Sequence, residues 1–335
     1  MPDSVTDQPI QTSAQLREIT APIQDHLDEF RIYFRDAIDT DVFLLNRIIH
    51  YLLRQKGKEI RPTLVFMSSR LFGSVDERSY VAATMIELLH TATLIHDDVV
   101  DDAEKRRGFS SINRLWKNKA GVLLGDFLLS KGLLIALDNE EYSMLQILSD
   151  AVKKMSEGEL RQLKTAKLFN MDEERYYQII SEKTASLIAA CCKCGTVAAT
   201  DDEEVAAAMH RIGMNIGIAF QIKDDLFDYG LDDVGKPTRN DIKESKVTLP
   251  LIKAMEQAPA SDRRSVRRLM RKRKKRDSDI RKIVSFTHEW NGLGRAEEAM
   301  RGYANSALEE LRTLPVQQGR AEFEALVQFI INRKK

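Results

Sequence analysis

Three aspartates follow a long apolar segment of the sequence. Asp97, Asp98 and Asp101 come directly after an almost uncharged run that begins at Leu88. Successive residues of a helix are about 100° apart, so these carboxylates would share one helical flank and repel one another if unpaired. Carboxylate oxygens suit Mg²⁺, which completes its coordination shell with water and substrate phosphates. The cluster therefore predicts either a magnesium site or an ordinary acidic helix end.

The same spacing of aspartates occurs a second time. Asp224, Asp225 and Asp228 follow the apolar segment 217–222. Two acidic helix ends of this kind could face each other across a bound diphosphate. Several Mg²⁺ ions would then bridge phosphate oxygens and carboxylates and stabilise the charge that develops on a leaving group. The repetition favours a metal–diphosphate site over surface acidity.

Basic side chains occur around both aspartate clusters. Lys58 and Arg61 are three residues apart, close enough on a helix to converge on one anion. The remaining basic residues of this group are Lys105, Arg106, Arg107, Lys183, Lys236 and Lys246. Each alone is typical of a solvated surface charge. Together with the two aspartate clusters they indicate a pocket for two polyanions.

Helices must position these residues. Glycine (16) and proline (8) are sparse, and few segments alternate as strands do. Apolar residues instead recur three and four positions apart in segments 45–53, 85–95 and 123–134. No segment has the composition of a linker between domains. We therefore expect an all-α fold and a single domain over residues 1–335.

Composition excludes several classes of function. The 335 residues include 51 basic and 51 acidic side chains, so no global field attracts nucleic acid. The longest uncharged stretch, 212–222, is too short to cross a bilayer, and the polar N-terminal residues lack the apolar region of a secretory signal. We therefore predict no transmembrane segment and a cytoplasmic protein. Cys191, Cys192 and Cys194 are expected to be packing residues of a helix.

One segment is strongly basic. Residues 263–276 contain ten lysines and arginines. A solvated helix followed by a turn explains such a run, and contact with a membrane surface or an acidic partner is the alternative. The run contains no aromatic residues on which bases could stack, so it does not indicate a nucleic-acid partner.

Taken together, these motifs resemble those of a known family, the head-to-tail trans-polyprenyl diphosphate synthases. The resemblance covers most of the chain in collinear order, and its motifs are Gly57-Lys58-Glu59-Ile60-Arg61-Pro62, Asp97-Asp98-Val99-Val100-Asp101, Arg106-Arg107-Gly108, Gly125-Asp126, Lys183-Thr184, Phe220-Gln221-Ile222-Lys223-Asp224-Asp225-Leu226-Phe227-Asp228, Gly235-Lys236-Pro237, Asp241 and Lys246-Val247-Thr248-Leu249-Pro250. The chain departs from the family at Lys56, Glu59 and Ser245. Glycine often stands in the family where this chain has Ser245.

The resemblance implies a fold, a reaction and a set of ligands. The fold is an isoprenoid-synthase-type bundle of long antiparallel helices around a deep central cavity, and the protein is a homodimer. The reaction condenses an allylic diphosphate, farnesyl or geranylgeranyl diphosphate, with successive isopentenyl diphosphates. Three Mg²⁺ ions act in each active site with diphosphate bound, and Mn²⁺ can substitute.

The resemblance also implies roles for individual residues. Mg²⁺ ligands are Asp97, Asp98, Asp101, Asp224, Asp225 and Asp228. Contacts to the allylic diphosphate come from Arg106, Lys183, Lys236 and Lys246. Isopentenyl diphosphate binds to Lys58, Arg61, His90 and Arg107, and Thr184 and Gln221 lie near the reacting carbons.

The implied chemistry explains why these residue types are present. Ionisation of the allylic C–O bond moves negative charge onto diphosphate, which Mg²⁺ and fixed cations stabilise. The allylic cation stays in an apolar, water-poor tunnel, and the alkene of isopentenyl diphosphate is the nucleophile. No Ser/His/Asp or Cys/His arrangement is required, because the departing diphosphate accepts the proton in this family.

Product length depends on the tunnel below the first aspartate cluster. Leu89, Ala92 and Thr93 lie one and two turns before Asp97 on the same helix and should line the tunnel. Synthases that stop at 15 or 20 carbons commonly have an aromatic residue near the position of Ala92. Ala92 and Thr93 instead resemble the longer-chain synthases, so the resemblance implies a product of roughly C30 to C50. One helical turn rises about 5.4 Å, about one isoprene unit, so each blocked turn should shorten the product by about one unit. Candidates for the tunnel floor are Leu128, Leu133 and Leu134.

Four other functions compete with this one. The first is a shorter-chain synthase with a C15–C20 product. The second is a helical metal phosphohydrolase, because His96-Asp97 is a His-Asp pair on a helix and His50 or His90 could supply a further ligand. A terpene cyclase shares the fold but does not need the isopentenyl-site cations. The last is an inactive or regulatory subunit of a heteromeric synthase, in which one motif is usually lost. His96 itself is expected to be a structural residue beside the metal site.

Overall fold

The computed structural model of the protein describes residues 8–54, 59–101, 104–106, 109–168, 172–230 and 240–333. Within these ranges the backbone is almost entirely helical, which confirms the all-α prediction. A small antiparallel hairpin interrupts it, in which Lys105–Arg106 pairs with Phe109–Ser110. The hairpin follows the first aspartate cluster directly.

The described chain forms sixteen α-helices, which are α1 (Gln8–Thr20), α2 (Gln24–Ala37), α3 (Phe43–Leu53), α4 (Ile60–Phe72), α5 (Glu77–Val100), α6 (Ile112–Asp138), α7 (Tyr142–Leu168), α8 (Glu173–Ile180), α9 (Ser186–Ala199), α10 (Glu203–Phe227), α11 (Asn240–Lys243), α12 (Leu249–Gln257), α13 (Ala260–Met270), α14 (Asp277–Glu289), α15 (Gly292–Thr313) and α16 (Arg320–Asn332). A 3₁₀ turn, Ala21–Ile23, joins α1 to α2, and a π-helical turn, Ser181–Ala185, joins α8 to α9.

The chain divides into two compact units, each made of three segments. The first unit contains Met1–Val152, Ala190–Met209 and Pro315–Phe323. The second contains Lys153–Ala189, His210–Leu314 and Glu324–Lys335. A single domain over residues 1–335 stays a prediction from the sequence.

In the first unit, α5 and α6 pack closely because glycines of α6 face α5. A Cβ atom on Gly121 would lie 2.8 Å from Val99 Cγ2, and one on Gly125 would lie 2.2 Å from His96 Nε2. Asp76 caps the start of α5, since its side chain accepts a hydrogen bond from the backbone N–H of Ser79. These contacts fix the helix that ends in the first aspartate cluster.

The cysteines are packing residues, as predicted. Cys191, Cys192 and Cys194 are fully buried and form no disulfide. Burial raises the pKa of all three thiols, which keeps them protonated.

Helix α6 differs from the expectation about membrane spans. By length and composition alone it could cross a membrane, although the core helix of a soluble protein meets the same criterion. Lys117 breaks the helical backbone near its start with φ of 69°. Asp126 and Lys131 also interrupt its apolar sequence.

In the second unit, α10 approaches the π-helical turn and the start of α9 at backbone distance. A Cβ on Gly213 would lie 2.6 Å from Ala189 Cα, and one on Gly217 would lie 2.5 Å from Ala185 Cα. Real Cβ atoms do not approach so closely, so only glycine permits this packing. The close approach places residue 221 of α10 beside residue 184.

A second apolar cluster supports the loop after α10. Tyr229 is fully buried among residues of α11, α12 and α14, and its hydroxyl accepts a 3.2 Å hydrogen bond from Thr248. His288 Nε2 lies 3.0 Å from the carbonyl oxygen of Tyr229. The turn that follows the second aspartate cluster is therefore anchored in the core of this unit.

Candidate active site

The π-helical turn presents Lys183 and Thr184. A π turn inserts one extra residue into a helix and rotates the following side chains, and such turns are frequent at functional sites. Gly158 of α7 allows the approach of this turn, since a Cβ there would lie 3.0 Å from the backbone nitrogen of Lys183. The sequence pattern contains no signal for the π geometry.

Four side chains form a continuous hydrogen-bonded chain. Thr184 Oγ1 donates to Gln221 Oε1 at 2.8 Å, and Gln221 Nε2 donates to Asp225 Oδ1 at 2.9 Å. The Tyr176 hydroxyl donates to Asp225 Oδ2 at 2.7 Å. Sequence reasoning found Thr184, Gln221 and Asp225 but missed Tyr176, whose position on α8 carries no recognisable motif.

Asp225 is a buried carboxyl group. Burial raises its pKa to about 7, although the hydrogen bonds from Tyr176 and Gln221 act in the opposite direction. Both carboxylate oxygens already accept bonds from protein donors. This arrangement favours a role in orienting Gln221. A role of Asp225 as a metal ligand stays a prediction.

The other two aspartates of this cluster have different partners. Asp224 forms an ion pair with Arg333, and Asp228 Oδ2 accepts a 2.8 Å hydrogen bond from the backbone N–H of Asp241. Arg333 is only 8% exposed at its side chain, and its guanidinium lies 4.0 Å from the ring centre of Phe220. Sequence reasoning missed Arg333, because a basic residue after an apolar helix has many ordinary explanations.

Lys183 and Lys246 each have carboxylate partners. Lys183 pairs with Glu159 of α7. Lys246 Nζ lies 2.8 Å from Glu244 Oε2 and 3.5 Å from Asp241 Oδ1. Burial would lower the pKa of Lys246, but these two carboxylates outweigh it and raise the pKa. Lys183 and Lys246 therefore each form an ion pair beside the hydrogen-bonded chain.

One cavity collects these groups. It has a volume of about 130 Å³. The predicted site residues that line it are Lys183, Thr184, Gln221, Asp225 and Lys246, together with Tyr176, Asp241 and Thr248. These five candidates span more than sixty positions of the sequence, from Lys183 to Lys246, and share one cavity of the second unit. Such a cavity can bind an anionic group beside a polar, oriented amide.

The first aspartate cluster lies in the first unit, at the end of α5. Asp98 is buried, Asp97 is half-buried and Asp101 is exposed. Asn113 of α6 donates a 3.0 Å hydrogen bond to the carbonyl oxygen of Asp98. Asp101 caps the helix, since its backbone N–H donates to the carbonyl of Asp97 at 2.8 Å. The three carboxylates therefore differ in their access to solvent.

Part of the predicted isopentenyl diphosphate site is also described in the first unit. Arg61 of α4 donates a 3.3 Å hydrogen bond to Glu87 of α5. His90 lies one turn after Glu87, so His90 and the carboxylate that Arg61 contacts are on the same side of α5. Glu87 is a residue that sequence reasoning missed. Lys58, Arg107, Lys236 and the side chain of Arg106 lie outside the described part of the chain.

The residues predicted to line a tunnel divide into two groups. Ala92 is 2% exposed and belongs to an apolar cluster with Leu88 of α5 and Leu128 of α6. Leu89 is buried, and Thr93 is half-buried with its hydroxyl bonded to the carbonyl of His90 at 2.8 Å. Leu133 and Leu134 are 42% and 53% exposed. Of the three floor candidates, only Leu128 lies in the cluster of Ala92.

His96 faces α6. Its Nε2 lies 3.3 Å from the carbonyl oxygen of Val122 and 3.6 Å from Asp126 Oδ1, and the ring rests on Gly125. These contacts agree with a structural role and explain why glycine stands at position 125.

The donor set fits Mg²⁺ rather than a softer metal. Both aspartate clusters offer only carboxylate oxygens, and the described part of the chain contains no group of three or more His, Cys, Asp or Glu side chains able to hold a metal ion by itself. Mg²⁺ usually takes one or two protein carboxylates and fills its shell with water and phosphate oxygens. The predicted Mg²⁺ ligands stay predictions, namely Asp97, Asp98 and Asp101 in the first unit and Asp224, Asp225 and Asp228 in the second.

The sequence is similar to that of several prenyl diphosphate synthases. A family model described as polyprenyl synthetase matches residues 42–287. The octaprenyl diphosphate synthase of Escherichia coli is 30% identical over 302 residues, which cover 90% of this chain and 93% of that protein. Component 2 of the heptaprenyl diphosphate synthase of Bacillus subtilis is 30% identical over 93% of this chain and 89% of its own length. The geranylgeranyl diphosphate synthase of Saccharolobus solfataricus is 29% identical over 92% and 99%.

The fold matches as well. The crystal structure of a decaprenyl diphosphate synthase from Rhodobacter capsulatus superposes with a TM-score of 0.90, at 30% identity, over 96% of this chain and 99% of that one. Fold and site thus define an all-α isoprenoid synthase. The chain belongs to the trans-polyprenyl diphosphate synthase family.

Proposed function

We propose that this protein is a Mg²⁺-dependent prenyltransferase that condenses farnesyl or geranylgeranyl diphosphate with successive isopentenyl diphosphates. The observation that carries the proposal is the cavity of the second unit, in which Lys183 and Lys246 lie beside the Thr184–Gln221–Asp225 chain. Family membership supplies the reaction class. The product is an all-trans polyprenyl diphosphate, and each cycle releases diphosphate.

The residues of the cavity have separate tasks in this reaction. Lys183 and Lys246 bind oxygens of the allylic diphosphate and favour departure of the leaving group, which takes the electron pair of the allylic C–O bond. The alkene of isopentenyl diphosphate then forms the new C–C bond, and a proton passes to the released diphosphate. The dipoles of Gln221 and Thr184 are held in one orientation beside the cationic carbon. Bound Mg²⁺ would supply further charge neutralisation on the diphosphate.

Ala92 and Thr93 support a long product of roughly C30 to C50. In this proposal the growing chain passes these small side chains about one turn before Asp97 on α5. The names of the relatives extend from geranylgeranyl to octaprenyl and decaprenyl, so a shorter C15–C20 product is the competing proposal.

A single assay tests the reaction and the product length. The purified chain is incubated with labelled isopentenyl diphosphate and farnesyl diphosphate, with Mg²⁺ or with chelator, and the dephosphorylated products are separated by chromatography. We expect a Mg²⁺-dependent ladder that ends in one dominant long prenol. No incorporation with any allylic starter would contradict the proposal and favour an inactive subunit of a heteromeric enzyme. Nucleotide hydrolysis in place of condensation would favour a metal phosphohydrolase.

We propose that the protein acts as a homodimer. Helix α6 exposes large apolar side chains at spacings that place them on one face, namely Val122, Leu123, Leu133, Leu134 and Leu137. A second copy would cover this face. The double variant Leu123→Glu/Leu134→Glu should sediment as a monomer, whereas Leu160→Glu, at an equally exposed leucine of α7, should not change the oligomeric state. A relative named as one component of a synthase makes a heteromer the competing arrangement.

A cytoplasmic location stays a prediction.

A further inference from the structure

Ser245 has an unusual backbone conformation directly before Lys246. Its φ is 66°, in the left-handed region that glycine adopts freely and that serine adopts only at a cost in free energy. Two backbone hydrogen bonds close the turn, from Ser245 to Ile242 at 3.2 Å and from Lys246 to Asp241 at 2.8 Å. A left-handed serine persists only when its surroundings hold it.

Lys275 stabilises this conformation of Ser245. Its ammonium group donates to the Ser245 hydroxyl and lies 3.5 Å from the carbonyl oxygen of Lys243. It also donates to the carbonyl of Lys272 at 3.1 Å, which ties the side chain to the turn before α14. Lys275 is half-buried, and burial lowers its pKa while Asp279 partly offsets that effect.

The neighbouring basic residues do not share this role. Lys272 pairs with Asp279 at 2.7 Å, and Lys274 is exposed. Lys275 therefore links the basic segment 263–276 to the loop that carries a lysine of the candidate active site.

We propose that Lys275 is a positioning residue, which holds Ser245 in the left-handed conformation and thereby fixes where Lys246 enters the cavity. The activity readout rests on the proposed function. The structural part does not, because the position of loop 240–248 can be measured without any reaction. In chains with glycine in place of Ser245 the anchor would be unnecessary.

The test compares four variants. Lys275→Met should raise KM for the allylic diphosphate by about ten-fold and also lower kcat, because Lys246 both binds the diphosphate and favours its departure. Lys275→Arg should retain most of the affinity, and Lys274→Met is the matched control. The double variant Lys275→Met/Ser245→Gly should return to near the wild-type KM, since glycine needs no anchor.

Two further measurements keep the test independent of catalysis. Hydrogen–deuterium exchange of residues 240–248 should increase in Lys275→Met and not in Lys274→Met. Calorimetric binding of inorganic diphosphate should weaken in parallel with KM. An equal effect of Lys274→Met, or no recovery in the double variant, would overturn the proposal. If the wild type had no synthase activity but Lys275→Met still showed faster hydrogen–deuterium exchange in residues 240–248, only the proposed function would be refuted.

A separate observation concerns the exposed face of α13. Val266 and Met270 are buried against α14, whereas Arg264, Arg267 and Arg268 are exposed. Ten of the 51 basic residues lie within residues 263–276. Like charges on one helix face repel one another, so the three exposed arginines of α13 cost the fold electrostatic free energy.

Several other arginines of the described chain are paired with carboxylates. Arg78, Arg211 and Arg312, like Arg31, Arg161 and Arg301, each pair with a carboxylate. Within the described ranges, no carboxylate lies at ion-pair distance from Arg264, Arg267 or Arg268. Their charges remain available to an external anion.

We infer that this arginine face binds the surface of an anionic phospholipid bilayer. The face offers charge but no exposed aromatic or large apolar side chain, so it lacks a platform for bases and an anchor for a protein interface. A bilayer of anionic headgroups requires only charge complementarity. Binding of this kind is reversible and weakens with salt.

Vesicle sedimentation tests this inference without reference to catalysis. The full chain should sediment with vesicles of phosphatidylcholine mixed with phosphatidylglycerol, but not with phosphatidylcholine alone. Arg264→Gln/Arg267→Gln/Arg268→Gln should lose at least about ten-fold in affinity, and high salt should release the wild type. Arg17→Gln/Lys119→Gln/Lys153→Gln removes three exposed charges elsewhere and should bind normally. An equal loss in that control, or binding to duplex DNA without binding to vesicles, would overturn the inference.

Discussion

Thr184 donates a 2.8 Å hydrogen bond to Gln221, across a contact between α10 and the π-helical turn that only glycine at position 217 permits. The other end of the same amide is bonded to Asp225. Gln221 is thereby held in one orientation from both sides, with its oxygen toward Thr184 and its nitrogen toward Asp225. The orientation of Gln221 in the cavity therefore depends on the short distance between the backbones of α10 and the π-helical turn.

Gly217 should therefore be indispensable. Gly217→Ala would place a Cβ 2.5 Å from Ala185 Cα, so we expect a loss of about 1–3 kcal/mol in the free energy of unfolding and a large loss of turnover. Gly302→Ala is the matched control, because no atom lies within 4 Å of its Cβ position on α15. That variant should gain up to about 1 kcal/mol through helix propensity. Urea unfolding and condensation assays measure both, and equal behaviour of the two variants would contradict the packing argument.

Asp225 should make the stability of the metal-free protein depend on pH. Its pKa is raised from 3.8 to about 7, so between these values the native state keeps a proton that the unfolded state has lost. Stability should fall as pH rises through this window, by at most about 4 kcal/mol, and should not fall further from this source above it. In Asp225→Asn this contribution should disappear. Thermal unfolding in chelator at several pH values measures it, and parallel curves for the two proteins would refute the assignment.

Asp224 should matter for catalysis beyond its ion pair with Arg333. Asp224→Asn should reduce turnover by about 100-fold or more, since it removes a predicted Mg²⁺ ligand. Arg333→Gln breaks the same ion pair and leaves the carboxylate in place, so its turnover should be reduced far less. Steady-state kinetics at saturating Mg²⁺, with thermal unfolding of both variants, separates the two roles. Equal losses of turnover in the two variants would mean that activity depends on the ion pair and not on the Asp224 carboxylate as a metal ligand. Asp97→Asn should behave like Asp224→Asn.

Ala92 should control product length. Ala92→Phe adds a ring to a packed cluster in which Ala92 is 2% exposed, so we expect shorter products and a loss of about 1–3 kcal/mol in stability. Ala92→Leu should produce an intermediate shift in length. Ile32→Phe, at an exposed residue of α2, should leave the product unchanged. Product chromatography decides the matter, and an unchanged ladder in Ala92→Phe would refute the tunnel assignment.

Many of the candidate site residues could be predicted because their types and short spacings in the sequence identify them. Carboxylates at i, i+1 and i+4 after apolar helices, and a lysine followed by threonine, are local patterns that need no structure to recognise. The partners of these residues were not predictable. Tyr176, Glu159, Glu87 and Arg333 are ordinary residues of helices, and only contacts between elements distant in sequence give them a role.

The sequence by itself determined the all-α class, the family and the identity of most candidate site residues, because apolar periodicity and motif order depend only on the chain. The tertiary structure decided which side chains share a cavity and what each one contacts. It turned Asp225 inward to orient Gln221, placed Ser245 in a left-handed turn held by Lys275, and brought α10 against a π-helical turn through Gly213 and Gly217. These outcomes follow from close packing of backbones, and packing is a property of the whole fold that no local pattern specifies.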